Sequence, residues 1–240
     1  MNAKNRGFTL IEMLVSMAIM TAVVSLASYS YRFYSNLSHK NSVKYEQSLR
    51  QMQVWQKVRE RVAESVDYYV RPKYRPAERD IPLFIGRERE VFSVTERGLF
   101  EPKRQALYWL GVKDGTLLYC EKLIAGYIPT EDEVDPQICE VSTVIATGVS
   151  SISFKYYGWR GLSEKLSASS IDLTPDVSQM LGWYQRYEGR NTFLLPHWIE
   201  LNIEFSNPVE PAIPTKSVLP LYNHDPDRLA YYLGNTNDEG

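Results

Sequence analysis

An α+β fold, with a long N-terminal helix packed on an antiparallel β-sheet domain, is predicted by three features of the sequence. Residues 8–27 form an apolar run whose only charge is Glu12. Residues 41–69 lack Gly and Pro and repeat apolar side chains every three or four positions, the period of an amphipathic helix. Beyond them come short segments in which apolar and polar residues alternate, the period of a half-buried strand.

The apolar run comes first. Its twenty residues, rich in Leu, Ile, Met, Val and Ala, are enough at about 1.5 Å per residue to span a bilayer core of about 30 Å. No Gly or Pro interrupts it. Lys4 and Arg6 precede it and hold the N-terminus on the cytoplasmic side by the positive-inside rule. A carboxylate in hydrocarbon costs roughly 2.5–3.5 kcal/mol on insertion scales, so Glu12 calls for a function and a partner. Two simpler readings exist: a secretory signal peptide cut near Ala27-Ser28, or a plain single-pass anchor. Neither gives Glu12 a use.

The amphipathic stripe runs through Tyr45, Leu49, Met52, Trp55, Val58, Val62, Val66 and Tyr69. Pro72 and Pro76 are expected to end the helix, since a residue before proline disfavours helical backbone. Residues 35–42 are its weakest stretch. Strands are then expected at Val91–Thr95, at Ser151–Tyr156 and at Trp198–Phe205. Residues 106–112 and 116–120 flank Asp114-Gly115 and read as a β-hairpin, the Asp-Gly pair supplying the positive φ of a tight turn. Thr174-Pro175-Asp176 resembles a helix start, with a short helix through Val177, Met180, Leu181 and Tyr184. Prolines 208, 211, 214 and 220 mark residues 207–220 as an extended connector, and residues 235–240 as a frayed end.

Arg6-Gly7-Phe8-Thr9-Leu10-Ile11-Glu12 carries the most specific signal. It resembles the class III signal segment of type IV pilins and type II secretion pseudopilins over residues 5–31. The resemblance implies a pilin-like fold in five parts. These are a cytoplasmic leader (1–7), a transmembrane helix (8–30), the periplasmic half of the long helix (31–71), a β-rich ectodomain (72–206) and a Pro-rich C-terminal tail (207–240). It implies cleavage by a prepilin peptidase between Gly7 and Phe8, N-methylation of Phe8, and a register-setting role for Glu12 against the Phe8 amine of a neighbouring subunit. It also implies a single-pass protein of the bacterial inner membrane with its C-terminal domain in the periplasm. Its partners would be other minor and major pseudopilins or pilins, the prepilin peptidase and the inner-membrane assembly platform.

Within that superfamily the order of parts most resembles the J-type minor pseudopilin of type II secretion. The segments that match are Leu117-Leu118-Tyr119, residues 149–160 from Val149 to Arg160, and the Leu195-Pro196 step into Trp198–Phe205. Glu12 separates the chain from the K-type tip subunit, which commonly lacks this carboxylate. The implied role is a minor subunit of the tip complex that primes a periplasmic pseudopilus for protein export. A minor pilin of a type IV pilus, in assembly priming or adhesion, is the alternative; such pilins often contain a disulfide.

The remaining chemistry is sparse. Cys120 and Cys139 lie in an oxidising compartment if the anchor is read correctly, and are expected to pair; two separate buried thiols are the alternative. His39, His197 and His224 are scattered, so no metal site or catalytic triad is expected, and no nucleotide-binding fingerprint occurs. No cofactor and no enzymatic activity follow. The acidic run from Thr130 to Asp135, like Asp225-Pro226-Asp227, reads as solvated loop without the ordered spacing of a Ca²⁺ loop, although related subunits use loop carboxylates for calcium. The formal net charge of −2 offers no footprint for nucleic acid. Trp159, Trp183 and Trp198 read as core residues, with a partner surface as the alternative.

Overall fold

A computed structural model describes residues 10–71, 80–124, 134, 137–170, 181–206 and 213–222. The chain divides into two compact units, Met1–Leu49 and Arg50–Gly240. Helix α1, Leu10–Ala63, supplies the described part of the first unit and the opening turns of the second. Helical backbone is unbroken through residues 35–42, where the sequence is weakest.

In the second unit the stripe of α1 becomes core. Trp55, Val58 and Val62 are each no more than 1% exposed, whereas Met52 is 44% exposed. The helix stops at Ala63, earlier than the expected 71, and the reason lies in its terminal carbonyls. The last four C=O groups of a helix lack intrahelical partners. Here the Glu60 carbonyl accepts from Glu64 N–H (3.0 Å), Val62 from Ser65 N–H (3.1 Å) and Ala63 from Tyr222 N–H (2.8 Å). The Thr95 hydroxyl donates to Arg61 O at 2.7 Å. Val66 N–H then donates to Val94 O (3.0 Å), drawing the chain into the sheet. Tertiary partners cap this helix.

A six-stranded antiparallel sheet follows. In spatial order it comprises β10 (Tyr187–Glu188), β3 (Phe84–Gly86), β4 (Glu90–Thr95), β5 (Ala106–Lys113), β6 (Thr116–Leu123) and β7 (Val141–Thr147). A second sheet has the order β12 (Lys216–Pro220), β11 (Trp198–Phe205), β8 (Val149–Trp159) and β9 (Leu181–Tyr184). Strands β1 (Tyr69–Val70) and β2 (Ile81–Pro82) make a small ribbon. The expected hairpin is β5–β6, with Asp114 at φ 51° and Gly115 at φ 69° in its turn, the left-handed backbone an Asp-Gly pair tolerates.

The two sheets and the end of α1 enclose one core. Trp55, Val58 and Val62 pack with Tyr108 and Tyr119 of the first sheet and Phe154, Ile199 and Leu201 of the second. Tyr108 and Tyr119 stack at 5.9 Å, and burial pushes both phenols well above their ordinary range, so they stay neutral. The Tyr108 hydroxyl is 2.8 Å from that of Ser65, so it is not left dry. A smaller cluster covers the other face of the first sheet with Val66, Val70, Ile81, Phe92, Leu107 and Cys120. Strand β4 is therefore buried on both faces, not half-wet as its alternation suggests.

Three further expectations change. Residues 174–180 lie outside the described residues, but Leu181 and Tyr184 belong to β9, because residues 181–184 pair with residues 156–159 of β8. The expected connector holds β12 at residues 216–220, which pairs with β11 and buries Leu219; the sheet thus extends past residue 206. Strand β7 and helices α2 (Leu162–Ser170) and α3 (Gly189–Thr192) were not expected.

Candidate functional site

The candidate site is the start of α1. Glu12 lies two residues after Leu10, the first described residue of the helix. Gly7 and Phe8 lie outside the described residues. Ser16 donates its hydroxyl to Glu12 O at 2.7 Å, and Thr21 donates to Met17 O and Ala18 O at 2.9 Å each. These hydroxyls are satisfied by the helix's own backbone, an arrangement suited to hydrocarbon surroundings.

The rest of this segment is apolar and uncovered. Eleven large hydrophobic side chains from Leu10 to Leu26 are more than half exposed. Burying each is worth about 1.5–3 kcal/mol, so their removal from water contributes on the order of 20 kcal/mol. The most apolar 18-residue window of α1 has a mean hydropathy of 2.1, making it a candidate membrane anchor. Only helices and closed barrels satisfy every backbone group inside a bilayer, and a straight run without Gly or Pro does so unaided.

Elsewhere, the Sγ atoms of Cys120 and Cys139 lie at bonding distance, with Cα atoms 4.7 Å apart. Cys120 sits on β6; Cys139 belongs to a 3-10 turn at Ile138–Glu140, directly before β7. The next residue on β6, Glu121, is 3% exposed. Its carboxylate accepts from Leu99 N–H (2.5 Å), Phe100 N–H (3.4 Å) and the Tyr119 hydroxyl (3.1 Å), anchoring the loop that joins β4 to β5. A lone acidic residue in an apolar strand is the one signal that sequence offers for this clamp.

The tryptophans require a correction. Trp198, Tyr157 and Trp183 are consecutive register partners across β11, β8 and β9, with ring centroids 5.2 Å apart in each pair. Trp183 and Trp198 are 45% and 46% exposed, so they line the outer face and not the core. Tyr157 and Trp198 stack on each other at an interplanar angle of 22°. Such a ladder stabilises cross-strand pairing. His197, next to Trp198, is half-buried; burial first and Lys165 second hold its imidazole below the ordinary range.

No group of three or more metal-ligating side chains occurs among the described residues. The acidic run lies outside them except for Val134, as do Asp225, Asp227 and His224. Glu12 belongs to the first unit and the two cysteines to the second.

A search of curated proteins returns no match to this chain. Residues 2–28 match the family model described as the prokaryotic N-terminal methylation motif. That match covers Gly7, Phe8 and Glu12, and the apolar helix carrying Glu12 leads into an antiparallel β domain. That motif is the hallmark of type IV pilins and pseudopilins, and the apolar helix with its antiparallel β domain is consistent with a pilin-like α+β fold.

Proposed function

We propose that the chain is a minor pseudopilin of a type II secretion system, a structural subunit of the tip complex that primes assembly of a periplasmic pseudopilus for protein export. Glu12 in an exposed apolar helix is the observation that carries this reading. In the reading, a prepilin peptidase cuts between Gly7 and Phe8, and Phe8 is then N-methylated. The mature amine of one subunit pairs with Glu12 of the next, and any other axial stagger leaves buried charges unmatched. The protein is then a single-pass inner-membrane subunit with a periplasmic domain closed by a Cys120–Cys139 disulfide, which acts with other pseudopilins and the assembly platform. The J-type order of parts and the retention of Glu12 favour a minor subunit with a neighbour on its far side.

A minor type IV pilin is the second reading, and the cysteine geometry favours it, since disulfides are frequent in that group. The processing step is tested by intact mass and N-terminal sequencing of membrane-extracted protein, with and without the peptidase. A chain starting at methylated Phe8 only when peptidase is present is the expected result. A chain starting at Met1, or cut near Ala27, rejects both filament readings.

A further inference from the structure

Aromatic side chains are absent from the apolar part of α1 and then crowd into a single band. From Leu10 to Ser28 there is no Phe, Trp or Tyr, and there is none from Ser35 to Lys44. Between them, four of the six residues from Tyr29 to Tyr34 are Tyr or Phe. All four side chains are between 64% and 73% exposed, whereas Tyr108, Tyr119, Tyr156 and Tyr187 of the second unit are core residues. The band also holds Arg32, the first charged residue after Glu12.

The height of the band and its distribution around the helix point to one kind of surrounding. The stretch from Leu10 to Ser28 rises about 28 Å at about 1.5 Å per residue, close to the thickness of about 30 Å of a bilayer's hydrocarbon core. The band therefore falls where such a core gives way to headgroups. At about 100° per residue, Tyr29, Phe33, Tyr34, Tyr31 and Arg32 fall at about 0°, 40°, 140°, 200° and 300° around the axis. They ring the helix and leave no bare arc wider than about 100°. A partner helix would engage one stripe, at three- and four-residue spacing. A ring of large side chains fits a medium that encloses the helix on all sides.

We infer that residues 29–34 form an aromatic collar seated in the lipid headgroup layer, at the end of the hydrocarbon core farther from the N-terminus, and that the collar fixes the depth of α1. The inference rests on the reading of α1 as a membrane anchor. A Tyr side chain has an apolar ring and a hydroxyl that needs a wet partner, so it is at home at that boundary and on neither side of it. The Arg32 guanidinium, in the same turn, fits a lipid phosphate, which accepts two parallel N–H bonds. Sliding α1 inward by a turn would carry Arg32 and the Tyr hydroxyls into hydrocarbon. Sliding it outward would bring Val24 and Leu26 into water. Both displacements are opposed, so the ring acts as a stop in each direction.

The test uses the full chain reconstituted in phosphatidylethanolamine–phosphatidylglycerol vesicles, with a nitroxide-bearing side chain placed singly at Leu14, Met20, Ser30 or Leu37. Collisions with oxygen, which concentrates in hydrocarbon, and with a water-soluble nickel chelate give the depth of each position. Leu14 and Met20 should be open to oxygen, Leu37 to nickel, and Ser30 to both. In vesicles of shorter acyl chains the balance at Ser30 should hold, because a helix too long for its bilayer tilts about a fixed boundary. With Tyr29→Ala, Tyr31→Ala, Phe33→Ala and Tyr34→Ala combined, the balance should follow the acyl-chain length, a displacement of about one turn or 5.4 Å. The same four positions changed to Trp should hold it again, and oxygen access at Met20 shows that each variant inserts. A parent balance that drifts with the lipid overturns the collar, as does one that stays fixed in the fourfold Ala variant. Exclusion of both probes from Ser30, the mark of packing against protein, also overturns it. Nickel access at Leu14 and Met20 equal to that at Leu37 rejects the membrane anchor itself, and the inference with it.

Discussion

Replacing Trp55 by Ala should remove a large part of the stability of the Arg50–Gly240 unit, whereas replacing Met52 by Ala should leave it nearly untouched. The two positions lie one turn apart on the same apolar stripe, but Trp55 is 1% exposed and Met52 is 44% exposed. A buried Trp withdraws about 200 Å² from water, worth about 5 kcal/mol at 25 cal/mol per Å² as an upper value. Against that, Trp55 Nε1 is buried with no hydrogen-bond partner among the described residues, and an unmet donor costs about 1–3 kcal/mol. The net loss for Trp55→Ala is therefore about 2–4 kcal/mol, within the range for large core truncations. Trp55→Phe keeps most of the packing and removes the unmet donor, so its cost should stay below about 1.5 kcal/mol. Urea unfolding of the detergent-solubilised chain, followed by near-UV circular dichroism, reads these differences. With a slope of about 2–3 kcal/mol per M, Trp55→Ala lowers the midpoint by about 0.7–2 M. Equal losses at Trp55 and Met52, or a Phe variant as damaged as the Ala variant, would refute the assignment of Trp55 as the helix's anchor in the core.

The other predictions concern the anchor, the cysteines and pH. Glu12→Ala should insert and be cut after Gly7 as efficiently as the parent, yet fail to crosslink to neighbouring subunits; normal crosslinking with this variant removes Glu12 from the register mechanism. Cys139→Ser, with a 19-residue separation lost, should destabilise the second unit by about 3 kcal/mol and speed amide exchange across β7; an unchanged exchange pattern there contradicts the stapling of that strand. The His197 imidazole is held below its ordinary value of about 6.5, so the unfolded chain binds its proton first as pH falls. Its contribution to stability is thus complete above about pH 6.5 and is lost as pH drops through the lower folded value. His197→Gln should flatten that part of the stability profile, and an unchanged pH slope would exclude His197 as its source.

The sequence made the periodic elements legible and hid those decided by tertiary contact. Residues 198–205 alternate cleanly and form β11 over those residues, and Asp114-Gly115 announces its hairpin because φ is positive at both positions. The end of α1 was not legible, since Thr95 and Tyr222 stop it from 32 and 159 positions downstream of Ala63 rather than a local Gly or Pro. Strand β7 is hard to see for a related reason: its first four residues, Val141 to Val144, are exposed or half-buried and show no regular in-out alternation. Bulk and apolarity predict burial for Trp183 and Trp198, but both pack on the Tyr157 ring between them on an outer face. At the candidate site the signal is one of residue identity and spacing alone, since an isolated carboxylate in an apolar run stands out without any fold around it.

The way α1 ends has a mechanical meaning. A pull on the anchor travels along the helix and leaves it at Arg61–Val66, where the chain is fastened to β4 through Thr95 and Val94 and to the close of β12 through Tyr222. Glu64 adds a second fastening, accepting from Glu96 N–H at 2.9 Å and pairing with Arg97. Several bonds share the load at one point, next to buried Ser65 and Tyr108, so none has to open alone before the others. A pull on this candidate anchor therefore loads a reinforced joint and spares the hairpins at the far end of the sheet.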